Sequence, residues 1–268
     1  MSRPLWFTTI LKKGFAYRFL LARLTRVPII GIIMDHLFFE GDDIVYLPKD
    51  QVIEMNVSFT PHNVALPSQI VEHFIKKAHY HWIMNSCICR ESAGCKDYPI
   101  DLGCLFLGEA AMYINPELGR NVTKEEALKH VKRCREAGLV HLIGRNKLDA
   151  VWLNVSPGSK LLTICNCCPC CCLWRMLPDL APDIGSKVTK LPEVTIAVTD
   201  ACIGCGTCAD ACFVHAIEIS GSRAVISDEC RGCSRCADVC PQGAIQVSID
   251  EGFLEKSIDH ISSLVDVS

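Results

Sequence analysis

Eleven residues, Cys202-Ile203-Gly204-Cys205-Gly206-Thr207-Cys208-Ala209-Asp210-Ala211-Cys212, constrain this chain more than any other segment. A second run, Cys230-Arg231-Gly232-Cys233-Ser234-Arg235-Cys236-Ala237-Asp238-Val239-Cys240-Pro241, begins 28 residues after the first. Both read C-x2-C-x2-C-x3-C. That spacing wraps three thiolates around one face of a cubane iron–sulfur cluster and sends the fourth to a second cluster. The flanks repeat as well: Ala216-Ile217-Glu218-Ile219 matches Ala244-Ile245-Gln246-Val247. Each half therefore reads as a strand, a cysteine loop, a short helix and a second strand, related by pseudo-symmetry. Zinc is the competing metal, but it takes C-x2-C pairs separated by a longer gap.

Residues 194–249 resemble the bacterial two-cluster ferredoxins on these motifs. The resemblance implies one [4Fe-4S] cluster on Cys202, Cys205, Cys208 and Cys240, and another on Cys230, Cys233, Cys236 and Cys212. One position departs from the family pattern. Phe213 stands where a proline usually follows the fourth cysteine, whereas Pro241 keeps it.

With 268 residues, half of them apolar, the chain can bury a substantial core and accommodate two domains. Nineteen cysteines would suggest a secreted scaffold in a short chain. Here the first apolar stretch ends at once in Lys12-Lys13, too soon for a signal-peptide core. No run reaches the roughly 20 apolar residues of a membrane helix. The expectation is a reducing cytoplasm, in an anaerobe, because exposed cubanes are lost to oxygen. Between Glu193 and Asp250 stand eight acids and three arginines. Two oxidised cubanes would bring that lobe to a charge of about −9, which suits a basic redox partner and disfavours nucleic acid.

The amino-terminal segment has the opposite sign. Residues 1–34 carry Arg3, Lys12, Lys13, Arg18, Arg23 and Arg26 and no acid. On a helix interrupted at Gly14, Trp6, Ile10, Tyr17, Leu20, Leu21 and Leu24 gather on one side and Lys12, Arg23 and Arg26 on the other. Packing of that apolar side on the chain's own core is the first expectation. Docking on a partner is the second, and weak contact with a membrane surface the third.

The middle of the chain holds a second concentration of cysteines. Ser68 is placed to cap a helix through Ile70, Val71, Phe74, Ile75 and Ala78, which leads to Cys87-Ile88-Cys89-Arg90. Cys95 and Cys104 follow, and then Cys165-Asn166-Cys167-Cys168-Pro169-Cys170-Cys171-Cys172. Six cysteines within eight residues have no packing advantage over alanine or valine, so ligation is the economical account. An extended backbone would point Cys165, Cys167 and Cys171 one way and Cys168, Cys170 and Cys172 the other, with Cys87, Cys89, Cys95 and Cys104 completing the shells. One further iron–sulfur cluster is the conservative expectation. Ten ligands leave room for two, a non-cubane cluster included, and Cys-x-Cys pairs fit zinc better here than in the later runs.

From about Phe38 onward the chain is similar to a group of ferredoxin-type proteins of anaerobic bacteria and archaea. The shared features are Phe39-Glu40-Gly41-Asp42-Asp43, Cys87-Ile88-Cys89-Arg90, Gly119-Arg120, Thr123-Lys124-Glu125-Glu126-Ala127, Ala137-Gly138-Leu139-Val140-His141 and the Cys165 to Cys172 run. That group is defined by sequence, so the resemblance implies iron–sulfur binding throughout and supplies no substrate.

Thr123 and Glu126 form a capping box, and Gly138 is a ready helix stop. Ala127, Val131 and Cys134 share a face, which makes Cys134 a core residue. Strands over residues 139–143 and 151–155 would form a hairpin around Arg145-Asn146-Lys147. A helix followed by such a hairpin occurs in winged-helix DNA binders, but Glu125, Glu126 and Glu136 oppose that use, and a scaffold for the cysteine loop is preferred. His79, His81 and His141 receive no role, and Asp101 is a weak candidate for orienting a ligand. No glycine-rich phosphate loop for flavin or nicotinamide is present.

The predicted fold is α+β. A ferredoxin-like domain of pseudo-two-fold symmetry (residues 193–250) is appended to a mixed α/β cysteine-rich domain (residues 38–192). A basic amphipathic segment (residues 1–37) precedes them, and an amphipathic helix or tail (residues 251–268) follows. The expected function is electron transfer, with low-potential single electrons passed to or from a partner oxidoreductase such as a flavoprotein. An iron–sulfur reductase with its active site at the central cysteines is the alternative.

Overall fold

A computed structural model describes residues 3–50, 53–55 and 66–268, with backbone only for 53–55. Its first strands are β1 (Asp43–Tyr46), β2 (Ile53–Met55), β3 (His81–Met84), β4 (Leu105–Leu107), β5 (Gly119–Asn121) and β6 (Val140–Arg145). There follow β7 (Leu162–Cys167), β8 (Val188–Lys190), β9 (Val194–Val198), β10 (Ile217–Ser220), β11 (Arg223–Ile226) and β12 (Ile245–Ile249). Seven of them form one sheet in the order β5-β3-β4-β7-β6-β1-β8, antiparallel except for the β1–β8 pair.

Period-two alternation gives this sheet two different faces. Val45, Ile143, Leu162 and Ile164 face a core built with the Ser68–Lys77 and Phe253–Leu264 helices. Tyr46, Val140, Leu142, Cys165 and Cys167 face the other way, towards Trp174, Met176 and Phe213. The cysteine site lies on this second face.

Residues 194–249 form the smaller lobe. β9 and β12 pair antiparallel, β10 and β11 make a hairpin, and the short helices Thr207–Ala211 and Arg235–Val239 pack on each other. β2 extends this small sheet by pairing parallel with β12, Ile53 opposite Val247. One apolar core runs from Phe74 through Val194 and Val247 to Ile261.

Several local expectations are met and others corrected. Thr123 and Glu126 form both halves of a capping box on the Lys124–Glu136 helix, and Gly138 follows at φ 76°. Ala127, Val131 and Cys134 are fully buried. Ser68 does not cap its helix. It is the first helical residue, and its N–H is accepted by Asp50 Oδ1 at 3.1 Å. Residues 151–155 are not a strand, because Lys147–Leu153 is a helix ended by Asn154 in the left-handed region. Asp42 Oδ1 accepts the N–H of Lys147 at 2.5 Å, and Asp149 accepts from Asn146 Nδ2 at 2.7 Å and Trp152 Nε1 at 2.8 Å. These bonds, one of them from a distant residue, outweigh the strand preference of Val151 and Trp152, and the winged-helix hairpin is lost.

The amino-terminal segment is helical as expected and its first helix, Leu5–Gly14, ends at Gly14. Its apolar side does not pack on the core. Trp6, Ile10, Tyr17, Leu20, Leu21 and Leu24 are all exposed, and the buried contacts are made by small residues such as Thr8 and Ala22.

Candidate metal centres

The lobe brings its eight cysteines together in two crossed sets. Cys202, Cys205, Cys208 and Cys240 line one small cavity with Gly204, Gly206 and Pro241. Cys212 lies instead beside Cys230, Cys233 and Cys236, where burial first and then the neighbouring thiols push the Cys236 thiol up to about 12. Backbone N–H groups aim at sulfur in a repeated pattern. Ala216 N–H donates to Cys212 Sγ at 3.3 Å, and Ala244 N–H donates to Cys240 Sγ at 3.3 Å. Glycine is required where the loops turn tightly. Gly232 has φ 66°, and a Cβ there would stand 2.7 Å from the Lys190 side chain. Converging thiols, inward N–H donors and missing side chains fit a cubane in each set, with Cys205 the exposed corner of the first.

The central cysteines do not divide by simple alternation. Only residues up to Cys167 are extended; Pro169 ends the strand and the chain turns through Cys170 and Cys171. Cys165 and Cys167 share the second face of the sheet, and the turn brings Cys172 back, its Sγ 3.0 Å from Cys167 Sγ. Cys104 precedes β4 and stands opposite Cys165, with 3.9 Å between the sulfurs. Cys87 and Cys89 open the Ile88–Ala93 helix over the same space. These six cysteines line a cavity of about 400 Å³, which Cys168 also borders. Gly94, in the left-handed region, then turns the chain, and Cys95 lies outside that cavity. There Cys95 meets Cys168, Cys170 and Cys171, all four sulfurs lying within 4.8 Å of one another.

Two buried arginines hold the six-thiol set. Arg90, fully buried, donates to Asn166 O at 2.8 Å and also to Leu102 O. Burial pulls its pKa down, but the thiols of Cys87, Cys168 and Cys104 outweigh that and hold it above the ordinary value. Arg235 donates to Cys167 O from the lobe, and Cys233, Tyr46, Cys167 and Cys172 likewise outweigh its burial. The Cys167 thiol is held well below its usual range by hydrogen bonds from Cys165 and Cys172, with both arginines nearby. Asp149 also borders the cavity, and burial raises its carboxyl to about 6 against three hydrogen bonds.

None of Arg90, Arg235, Tyr46 or Asp149 is singled out by the sequence reading. A buried arginine beside cysteines far away in sequence carries no local signature, although Arg90 within Cys-x-Cys-Arg was a visible hint. Phe213 was visible as a departure. It is buried, its ring 5.2 Å from that of Tyr46, with the Arg235 guanidinium 5.5 Å from its centroid. Cys134 Sγ lies 3.7 Å from His130 Nε2, and burial pushes that thiol up to about 12. His81 Nε2 is 2.6 Å from Ile75 O, His141 Nδ1 is 2.8 Å from Asn166 Oδ1, and His79 is exposed. Asp101 faces solvent and pairs with Arg133 at 3.4 Å rather than with a cysteine.

Residues 196–247 match the family model described as a 4Fe-4S dicluster domain. No curated protein and no solved structure matches the chain. The chain thus carries a ferredoxin-type 4Fe-4S domain over those residues, and with its further cysteine clusters it points to iron–sulfur electron transfer.

Proposed function

We propose that this protein is an electron carrier that relays low-potential single electrons along one chain between a partner oxidoreductase and the central six-thiol site. Cys202, Cys205, Cys208 and Cys240 would hold one cubane, Cys230, Cys233, Cys236 and Cys212 a second, and the cysteines around the 400 Å³ cavity a further cluster. Each bound cluster would supply reversible one-electron chemistry.

The observation that carries this reading is the joint at Arg235. Its side chain leaves the lobe between Cys233 and Cys236 and ends on the carbonyl of Cys167, while Phe213 and Tyr46 fill the space beside it. The thiols of the second set and those of the six-thiol site thereby meet across one boundary. At the other end of the lobe Cys205 is exposed and Ile203 beside it is 60% exposed. The order is therefore linear: an accessible first set, an enclosed second set, and the six-thiol site behind it. The acidic surface of the lobe suits a partner, such as a flavoprotein, that presents basic residues around its redox centre.

Rapid-freeze electron paramagnetic resonance during reduction by a protein donor tests the order. Signals of the lobe should appear first and those of the central site later. A central signal that rises before the lobe signals contradicts the relay.

A second reading, a reductase acting at the six-thiol site, is favoured by one observation. Six thiols exceed the four a cubane needs, and they share their cavity with a buried carboxyl raised to about 6. Spectra of the reduced protein that stay unchanged with thiols, disulfides and thioesters would remove it.

A further inference from the structure

Sulfurs pair closely elsewhere, Cys167 with Cys172 at 3.0 Å and Cys104 with Cys165 at 3.9 Å, but among the described residues only Cys95, Cys168, Cys170 and Cys171 bring four together. Cys95 and Cys170 sulfurs stand 3.6 Å apart and Cys170 and Cys171 sulfurs 3.5 Å apart. Four thiolates on a single tetrahedral metal at about 2.3 Å must stand about 3.8 Å from one another. Thiolates at the corners of a cubane stand about 6 Å apart or more. Among the described residues, no other group of three or more cysteine, histidine or acidic ligand atoms is so close, and the lobe sets are not. We propose that Cys95, Cys168, Cys170 and Cys171 bind one zinc ion rather than an iron–sulfur cluster.

The surroundings agree with a closed tetrathiolate site. Cys171 N–H donates to Cys168 Sγ at 3.3 Å, and the backbone N–H groups of Tyr98 and Asp97 point at Cys95. Arg175 is tied to the carbonyl of Cys170 at 2.6 Å, adding a cation beside a doubly negative centre. Zinc would pin the 95–104 loop to the turn that delivers Cys167 and Cys172 to the neighbouring cavity. It would act as a clamp on the six-thiol site and not as a redox centre.

This inference rests on the central site holding iron, and metal counts separate the two claims. In full-length protein purified anaerobically from iron- and zinc-replete cells, one zinc per chain is expected, with four sulfur neighbours at about 2.3 Å by X-ray absorption. Cys95→Ser and Cys170→Ser should each lower zinc at least about tenfold and leave iron unchanged, while Cys165→Ser lowers iron and spares zinc. Absence of zinc, a single iron in its place, or iron lost with Cys95→Ser overturns the zinc site. Iron at the lobe's level alone, with zinc present, instead defeats the central cluster.

A separate observation carries a second proposal. Of the twenty exposed large hydrophobic side chains among the described residues, thirteen lie between Leu5 and Leu37. Ile29 is 74% exposed, Ile32 71% and Trp6 63%. The segment is held to the protein by Arg23 and Arg26 on Asp179 and its neighbours, by Phe19 and by small residues. Thr25 Oγ1 accepts the N–H of Ala181 at 2.8 Å, and Gly31 packs so closely on Thr25 that a Cβ there would lie 2.2 Å from its carbonyl oxygen. Leu11, Phe15, Phe19 and Met34 turn inward, yet most of the segment's large apolar side chains face outward, against the usual order of a helix on a water-soluble surface. Lys12 and Arg23 pair with Glu91 and Asp179, and Arg3, Arg18 and Arg26 donate to main-chain carbonyls, so with no acid in residues 1–34 the segment stays positive. No described helix is long and apolar enough to cross a membrane.

We infer that residues 3–37 rest on an anionic bilayer surface, the apolar side chains among the acyl chains and the segment's net positive charge towards the phosphates. Ile10 and Leu21 belong both to this face and to the lining of the six-thiol cavity. Full-length protein should sediment with phosphatidylcholine vesicles containing phosphatidylglycerol, and less as salt rises. Brominated lipid should quench its fluorescence through Trp6, and Trp6→Phe should remove that share. Ile29→Glu with Ile32→Glu should weaken sedimentation at least about tenfold with iron content unchanged. No sedimentation with these vesicles, including the case of a dimer formed through this face, overturns the proposal. So does an Ile29→Glu/Ile32→Glu variant that sediments like wild type.

Discussion

The Arg235 side chain donates to the main-chain oxygen of Cys167, so a residue from inside the second cysteine run of the lobe anchors the strand that carries the central cysteines. Sixty-eight residues separate the two in sequence. In the fold they meet at the boundary between the lobe and the large sheet, beside Cys233, Cys172 and the Tyr46 ring.

Arg235→Met should therefore affect both stability and potential. Removing a buried cation that has hydrogen-bonding and thiolate neighbours costs about 3 kcal/mol. Loss of positive charge between two metal sites disfavours the added electron, so the adjoining clusters should become harder to reduce. Anaerobic denaturation and a redox titration followed by electron paramagnetic resonance measure these effects. Unchanged potentials in a folded variant would show that Arg235 does not sit between two clusters.

Phe213→Ala should open the same boundary. Truncating a buried phenylalanine costs about 3–5 kcal/mol, and water would enter between Tyr46 and Arg235. Faster bleaching of the visible absorption in air is the expected readout. Phe213→Pro, which restores the residue that the family resemblance implies, should bleach as fast as Phe213→Ala, because proline leaves the same gap.

Cys212→Ala and Cys240→Ala should damage opposite partners. Cys212 lies among Cys230, Cys233 and Cys236, so its loss should convert their cluster to a three-iron form and spare the set around Cys208. Cys240→Ala should do the reverse. Magnetic resonance of each variant shows which cluster has changed, and damage confined to a residue's own run would contradict the crossed arrangement.

Asp42 should give the protein an unusual pH response. Burial raises its carboxyl from 3.8 to about 7, although Oδ1 accepts the Lys147 N–H. Between those values the folded chain keeps a proton that the unfolded chain has released. Its contribution is full below 3.8, falls as pH rises through the window and is gone above about 7. Anaerobic thermal unfolding of wild type and Asp42→Asn should diverge over that range, with the slope absent from the variant. Parallel curves would place the titration elsewhere.

What the sequence disclosed was the part governed by short-range rules. Cysteine spacing, the Thr123 box, the Gly138 stop and the helical break at Gly14 are local, and each is visible in the fold. The split of the central cysteines was not legible, because it depends on the turns at Pro169 and Gly94, which part Cys95, Cys170 and Cys171 from the cavity. Lys147–Leu153 was misread for a related reason. Its helix is fixed by Asp42, a residue more than a hundred positions earlier, and by Asp149 bonds that a strand would break. Outward-facing Trp6, Ile10 and Leu20 defeat the assumption that an apolar stripe finds the chain's own core.

Iron and acid-labile sulfide, counted on anaerobically purified full-length protein, test the central claim most directly. About 12 irons per chain with matching sulfide are expected if a cubane-sized cluster joins the two in the lobe, and Cys165→Ala should reduce the count to about eight. Wild-type protein holding only about eight irons, unaffected by Cys165→Ala, would contradict a cluster at the six-thiol site and end the relay at the lobe.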